Sequence, residues 1–175
     1  MPISSNIADF RSRFKGGSRP NRFVVNGNIP TSSDVGESNF LIKAATLPPS
    51  TLSIIPVPFR GRILKVPGDR MFIEWDIIVL DDPKTRDLRK DFLEWSHAIN
   101  AHADNVINQQ DFYGQWKVSQ LEQSSDTIIP GREITLHNCW PVEVSGVELT
   151  HDIPNTLVEW TVRMAYDFWT SDGTS

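Results

Sequence analysis

Residues 157–169, Leu-Val-Glu-Trp-Thr-Val-Arg-Met-Ala-Tyr-Asp-Phe-Trp, alternate between apolar and polar side chains almost without interruption. The residues at even-numbered positions are apolar, whereas the odd-numbered positions include Glu159, Thr161, Arg163 and Asp167. Because successive side chains of a strand point to opposite faces, the pattern predicts one long strand with a buried face and a solvated face. The buried face would hold Val158, Trp160, Val162, Met164, Tyr166 and Phe168.

Seven further segments of the chain have the apolar character of strands. Residues 67–70, Pro-Gly-Asp-Arg, are typical of a turn between two of them, and Trp140-Pro141 is predicted to turn the chain between two others. The seven segments are residues 23–25, 40–45, 60–66, 71–80, 115–121, 133–139 and 142–151.

One helix is predicted over residues 83–103. Asp82 is suited to cap its free amides and Pro83 to occupy its first position. Its apolar stripe follows helical spacing and consists of Leu88, Phe92, Trp95 and Ile99. The N-terminal arm, residues 1–18, is either frayed or forms a short helix, capped by Ser4 or Ser5, with Ile7, Phe10 and Phe14 on one face.

These elements predict a mainly β (α+β) fold: a single domain over residues 1–175, with an antiparallel sandwich or barrel of about eight strands and one packed helix. The 175 residues carry a formal net charge of −5 with no basic block, which argues against a protein that binds nucleic acid through phosphates. The N-terminus lacks the apolar core of a signal peptide, and no apolar run is long enough to cross a bilayer, so we expect a soluble protein without stable membrane insertion.

The sequence lacks the motifs of common enzymes and predicts neither a metal nor a cofactor. Cys139 is the single cysteine, and with His137 it forms either a Cys-His dyad or a partly buried pair on a strand. His97 and His102 are five residues apart, which does not place them on one metal-binding helix face. A small hydrolase or binding module on a β-sandwich would need a concave polar site that the sequence does not show. A non-enzymatic, structural role is therefore predicted.

The segment 47–59 combines four prolines with exposed apolar side chains. Proline removes ladder donors, so the segment is predicted to be an apolar loop or an edge strand that leaves the sheet. Such a patch requires a partner, either a neighbouring subunit or the chain's own core. The candidate interface residues in this segment are Leu47, Pro48, Leu52, Ile54, Ile55, Val57 and Phe59.

Several short motifs, in order along residues 19–169, resemble those of the tail tube proteins of contractile-tailed bacteriophages. The first four are Arg19-Pro20-Asn21-x-Phe23, Lys43-Ala44-Ala45-Thr46-Leu47-Pro48, Ile55-Pro56-Val57-x-Phe59 and Gly68-Asp69-Arg70-x-Phe72-x-x-Trp75. The last three are Phe92-x-x-Trp95, Trp140-Pro141 and Tyr166-Asp167-Phe168-Trp169. The N-terminal arm and residues 122–131 depart from the family pattern.

The resemblance implies hexameric rings of this chain that stack into the inner tube of a virion tail. It further implies assembly in the host cytoplasm, a surrounding sheath, contacts with the baseplate hub and the tail terminator, and passage of DNA and a tape-measure protein through the channel without sequence-specific binding. A ring protein of a pyocin or of type VI secretion is the alternative within the same fold.

Site residues follow from this implied assembly. Acidic and hydroxyl side chains would let DNA slide, so the polar faces of the late strands are expected to line the channel, although they would otherwise face the sheath or solvent. The channel candidates are Glu143, Glu148, Glu159, Thr161 and Asp167, with Arg163 paired to a neighbouring carboxylate. Further subunit contacts are expected at Asp69 and Arg70, which are able to pair locally. Contacts are also expected at Leu157 and Trp169, which are apolar residues at positions where the alternation of the strand places polar ones.

Overall fold

Antiparallel strand pairing dominates the computed structural model, which describes residues 6–32, 36–102, 112–152 and 155–172. Two α-helices occur within these residues, α1 (Ile7–Arg13) and α2 (Leu88–Ile99), together with a short 3-10 helix, Gly36–Leu41. The nine strands found there confirm the predicted mainly β fold. They are β1 (Phe23–Gly27), β2 (Ile42–Ala45), β3 (Thr51–Phe59), β4 (Arg62–Met71), β5 (Trp75–Leu80), β6 (Gly114–Leu121), β7 (Ile128–Val144), β8 (Glu159–Ala165) and β9 (Phe168–Ser171).

Strand β7 organises the main sheet, whose order is β1-β6-β7-β8-β5-β2 with β9 also paired to β7. The early part of β7 pairs with β6 and β9, and its last residues pair with β8. Between the two parts lies Asn138, whose φ of 56° is left-handed. We call β1, β6, β9 and the early part of β7 the first half-sheet, and β2, β5, β8 and the end of β7 the second half-sheet.

The core forms where the two half-sheets and α2 meet. Trp75 on β5 and Trp116 on β6 pack edge to face with ring centroids 6.2 Å apart. Phe92 of α2 lies 5.7 Å from the ring of Trp116 and 6.0 Å from that of Trp160 on β8. Each such aromatic pair adds roughly 0.5–1.5 kcal/mol to the gain from burial. The helix is therefore packed on both half-sheets, through the stripe that its spacing predicted.

The start of that helix differs from the prediction. Asp82 holds a turn instead, accepting hydrogen bonds from the Lys84 amide and the Thr85 hydroxyl. The cap of α2 is Asp87, which accepts from the Lys90 amide at 3.0 Å. The helix ends at Ile99 rather than near 103, a residue outside the described part of the chain.

The predicted final strand, residues 157–169, is also divided. Trp160, Val162 and Met164 are buried in β8 as the alternation requires, but the strand stops before Tyr166-Asp167 and β9 begins at Phe168. The prediction that Phe168 is buried is wrong, because the alternation does not continue across this break and the side chain is exposed. At the break the Asp167 amide donates to the His137 carbonyl. The Asn138 amide group donates to the Asp167 carboxylate at 2.7 Å. The chain thus bends with β7 in order to stay paired to it.

Two predicted turns are wrong because the strands continue through them. Trp140-Pro141 lies inside β7, where a bulge follows Pro141 and accommodates its missing donor. Residues 67–70 lie inside β4, and Arg60-Gly61, both with positive φ, turn the chain instead. Ile73 is exposed in the short connection between β4 and β5, so the predicted strand over 71–80 begins at Trp75.

Candidate assembly surfaces

Strands β3 and β4 form a two-stranded hairpin outside the main sheet. The segment 47–59, predicted as a loop or departing edge strand, therefore contains a strand of its own. Phe59 and Arg62 form the pair next to the turn, so the backbone of every second residue before Phe59 faces away from β4. Pro56 and Pro58 are at such positions, and their nitrogens point to the open edge of the hairpin. The prolines consequently cost no ladder hydrogen bond to β4.

The hairpin exposes large apolar side chains on both of its faces. Ile55 pairs with Val66 and Val57 with Leu64, so these four share a face, whereas Ile54 and Ile63 lie on the other. We call the exposed apolar residues of β3 and β4 the hairpin surface; each is between 37% and 67% exposed. They are Leu52, Ile54, Ile55, Val57, Phe59, Ile63, Leu64, Val66 and Met71.

Other candidates from the sequence hold the base of the hairpin. Pro48 is buried within its own chain, and Leu47 is exposed beside it. The Trp169 indole is half-buried and donates to the Pro49 carbonyl at 3.3 Å. The Trp169 hydrogen bond ties the chain entering β3 to β9, and the expected role of Pro48 and Trp169 in subunit contacts stays a prediction.

Asp69 and Arg70, near the end of β4, do not pair with each other. The Arg70 guanidinium donates to the Ser50 hydroxyl, across the base of the hairpin, and Asp69 is exposed. The local ion pair considered from the sequence is therefore replaced by a contact between β4 and the chain entering β3.

Charged side chains cover the outer side of the second half-sheet. Arg163 on β8 donates to Asp76 at 3.1 Å and to Glu143 at 3.3 Å, as its predicted pairing requires. The hydrogen bond to Asp76 and the nearby carboxylates raise the pKa of Arg163 above its ordinary value. Lys43 on β2 pairs with Glu159. We call these residues, with Thr161, the charged face: Lys43, Asp76, Glu143, Glu159, Thr161 and Arg163.

Two of the predicted channel residues are not members of the charged face, although Glu148 borders it at Glu159. Asp167 is at the bend between β8 and β9, bonded to Asn138. Glu148 follows β7, since the strand predicted over 142–151 ends at Val144. Glu143, Glu159 and Thr161 are therefore the channel candidates that the fold brings together.

Glu148 instead lines a small depression with Leu149, Leu157 and Glu159. Leu149 is 83% exposed and Leu157 is 71% exposed. We call this feature the leucine depression. It combines one predicted subunit contact, Leu157, with two acidic residues that the sequence assigned to the channel.

Helix α1 is a further apolar surface. Its cap is Asn6, because the Ala8 amide donates to the Asn6 side chain, whereas the predicted caps Ser4 and Ser5 lie outside the described residues. Ile7, Phe10 and Phe14 are each more than half exposed, and the rings of Phe10 and Phe14 stack with centroids 5.2 Å apart.

His137 and Cys139 have separate surroundings, and the rings of His97 and His102 pack edge to face with centroids 5.2 Å apart. Burial raises the pKa of the Cys139 thiol to about 12, which keeps it protonated, and His137 bonds the Thr170 hydroxyl at 2.9 Å. Among the described residues, no cluster of three or more His, Cys, Asp or Glu side chains is arranged to hold a metal. Within the same residues, no helix has the length and apolarity needed to cross a membrane.

Sequence reasoning missed four of the nine residues of the hairpin surface and two of the six residues of the charged face. Ile63, Leu64 and Val66 belong to a segment predicted as an ordinary strand, and the Arg60-Gly61 pair was the signal that it folds back on β3. Lys43 and Asp76 join the charged face only through the register of β2, β5 and β8.

Comparisons with known proteins agree with this architecture. The family model described as phage tail tube protein matches residues 18–172. The tail tube protein gp19 of Enterobacteria phage T4 is 28% identical over 168 residues, covering 93% of this chain and 98% of that protein. Its counterpart from Enterobacteria phage T6 is 27% identical with the same coverage.

Solved structures show the same fold at low sequence identity. The chain superposes on a subunit of the anti-feeding prophage tube-terminating cap with a TM-score of 0.65 and 15% identity, covering 100% of both chains. For the sheath-tube complex of the PVC extracellular contractile injection system the TM-score is 0.62 and the identity 12%, covering 97% of this chain and 99% of that one. The sequence relatives are structural proteins, as the sequence predicted. With its match over residues 18–172, the chain belongs to the phage tail tube protein family.

Proposed function

We propose that this tail tube protein assembles with copies of itself into six-membered rings that stack into a hollow tube, and that the hairpin surface joins the subunits. The observation that carries the proposal is the exposure of nine large apolar side chains on both faces of one hairpin. A lone two-stranded hairpin is marginally stable in water, and monomers rarely expose contiguous apolar patches of this kind. Contacts with neighbouring copies would cover both faces.

The charged face lines the channel in this assembly. Its three carboxylates outnumber its two cations, and both cations are already paired with carboxylates. Neutralising phosphates requires free Lys or Arg side chains, each of which adds to a salt-dependent affinity for DNA. A wall of this kind lets DNA and a tape-measure protein pass without holding either.

Partners at the outside and the ends follow from the same assembly. We propose a sheath around the tube, a baseplate hub at one end and a terminator at the other, with assembly in the host cytoplasm and DNA ejection through the channel. Support comes from neighbours of the same fold solved in a sheath-tube complex, a baseplate and a tube-terminating cap. The chain itself is a component of the virion tail.

The proposal predicts that the double variant Ile54→Asp/Ile55→Asp remains a folded subunit but forms no tubes. The two side chains lie on opposite faces of the hairpin, and both are more than half exposed, so the fold of the main sheet does not depend on them. In a contact they would be buried, and a buried unpaired carboxylate is strongly unfavourable. Negative-stain electron microscopy measures tube formation, and circular dichroism verifies folding.

Leu93→Asp is the matched control, since Leu93 is an exposed leucine of α2 outside the hairpin surface. We expect it to leave tubes intact. The single variants Ile54→Asp and Ile55→Asp then separate the two faces of the hairpin. Normal tubes from the double variant would refute the role of the hairpin.

A further inference from the structure

Helix α1 has an apolar centre with an arginine on each side. At about 100° per residue, Ile7, Phe10 and Phe14 fall within a sector of about 60°. Arg11 lies about 40° beyond one edge of this sector and Arg13 about 60° beyond the other. All three apolar side chains are more than half exposed, so the helix presents an apolar strip between two cations.

Charge is distributed unevenly between this end of the chain and the rest. Residues 6–22 hold five of the 17 cationic side chains and one of the 22 acidic ones. The remaining residues therefore hold 12 cationic and 21 acidic side chains. The N-terminal end is therefore complementary in charge to most of the molecule that follows it. Complementary charge favours association of this segment with another surface of the same chain.

The leucine depression has the matching chemistry. Leu149 and Leu157 are the most exposed leucines of the described residues, and Glu148 lies beside them. Glu159 also borders the depression, but its carboxylate is paired with Lys43 of the charged face. Asp152 follows in the same segment. The depression measures about 230 Å³, which is below the roughly 300–1,000 Å³ typical of small-molecule pockets and fits one or two inserted side chains.

The fold keeps α1 away from the leucine depression of its own chain. Gly16, just after α1, lies against Gln123, in the loop that precedes β7, whereas the depression follows β7. The 17 residues of β7 span roughly 55 Å if straight, and about 40 Å even with a right-angle bend at Asn138. Helix α1 and its short linker reach less than about 20 Å.

We propose that α1 of one subunit docks in the leucine depression of a second copy, with Phe10 and Phe14 between Leu149 and Leu157 and the arginines near the acidic rim. The contact rests on the proposed tube, in which it is a second joint between subunits besides the hairpin. It joins two different surfaces, and such head-to-tail contacts generate rings or filaments. The family match begins at residue 18, so α1 lies outside it.

Cross-linking of the double variant Ile7→Cys/Leu149→Cys tests the contact. Both positions are exposed, and Phe10, Phe14 and Leu157 remain in place. The native Cys139 is buried and its raised pKa keeps it unreactive. A short bismaleimide applied to the assembled protein is expected to give a ladder of dimers, trimers and larger species on a denaturing gel. A mixture of the two single variants is expected to stop at dimers.

The matched control is Ile7→Cys/Leu93→Cys, which places the second thiol on α2 and is expected to give no ladder. Tubes without a ladder would overturn the docking contact and leave the proposed function standing. A ladder without tubes would support the contact and count against the tube, and the absence of both would overturn both. Cross-links formed within single chains would show that α1 reaches the depression of its own chain, which would overturn docking between two copies.

Charge reversal tests the partners directly. Arg11→Glu/Arg13→Glu is expected to lower the yield of cross-linked species roughly tenfold or more, because it opposes like charges. Adding Glu148→Arg/Asp152→Arg to the same chain is expected to restore the yield. Adding Glu94→Arg instead, an exposed site on α2, is expected to restore nothing. Equal yields from all variants would overturn the acidic rim as the site of docking.

Discussion

At the scale of single residues, Gly27 shows how closely the core is packed. Gly27 on β1 is paired with Trp116 on β6. A Cβ atom at Gly27 would lie 2.2 Å from the indole ring of Trp116. That indole is buried against Phe92 and Trp75, so it has no free space into which to move. The glycine is required by the close approach of the ring.

We therefore predict that Gly27→Ala lowers the free energy of unfolding by about 1–3 kcal/mol, as overpacked cores do. The midpoint of urea unfolding measures the change. Gly146→Ala is the control, because a Cβ there would meet no atom within 4 Å and its effect should stay within about 0.5 kcal/mol. Equal midpoints for the two variants would show that the core adjusts to the added methyl group.

At the scale of elements, periodicity predicted the faces better than the ends. Leu88, Phe92 and Trp95 are buried on α2 as their spacing required. The start of α2 was misplaced because both Asp82 and Asp87 are good caps, and sequence alone does not rank them. A tertiary contact separates them: the Arg86 side chain binds Asp91 at 2.8 Å and the Ser32 hydroxyl, which fixes the turn before Asp87.

A capping role for Asp87 predicts that Asp87→Ala lowers the free energy of unfolding by about 1 kcal/mol, because the Lys90 amide loses its acceptor. Asp87→Asn should retain most of the stability, since asparagine also caps. Thermal or urea unfolding measures both variants. Equal losses from alanine and asparagine would argue against capping as the role of this carboxylate.

Candidate surfaces that depend on one short segment of sequence were easier to predict than those that depend on pairing between distant strands. Apolar residues between prolines predicted an exposed loop or an edge strand that leaves the sheet, because a proline-rich segment is excluded from the middle of a sheet, and the segment contains the strand β3. Its partner β4 depended on which of two turn signals is used, Arg60-Gly61 or residues 67–70. The charged face depended on register across β2, β5 and β8, a long-range property that no short motif contains.

At the scale of the whole molecule, the proposed tube has a channel whose lining residues can be identified by chemical labelling. Glu143 belongs to the charged face and is exposed in the subunit. In assembled tubes we predict that Glu143→Cys reacts with a small maleimide but more than about tenfold more slowly with a protein-sized one, because a bulky reagent enters the channel only through its ends. Free subunits should react with both reagents.

Loss of both reactions in tubes would place Glu143 in a contact between subunits. Retention of both would place it on the outside of the tube. The native thiol does not interfere, because Cys139 is buried. The three outcomes assign this face without a need for helical reconstruction.

Strand β7 couples the unfolding of the two half-sheets of the subunit. Its early residues complete the ladder of the first half-sheet and its last residues that of the second, with the bend at Asn138 between them. Neither half can detach without breaking hydrogen bonds along the strand that both share. The subunit should accordingly lose its structure in one cooperative step rather than sheet by sheet. Partly opened subunits, which would offer unpaired strand edges to their neighbours, are thereby kept scarce while a polymer grows.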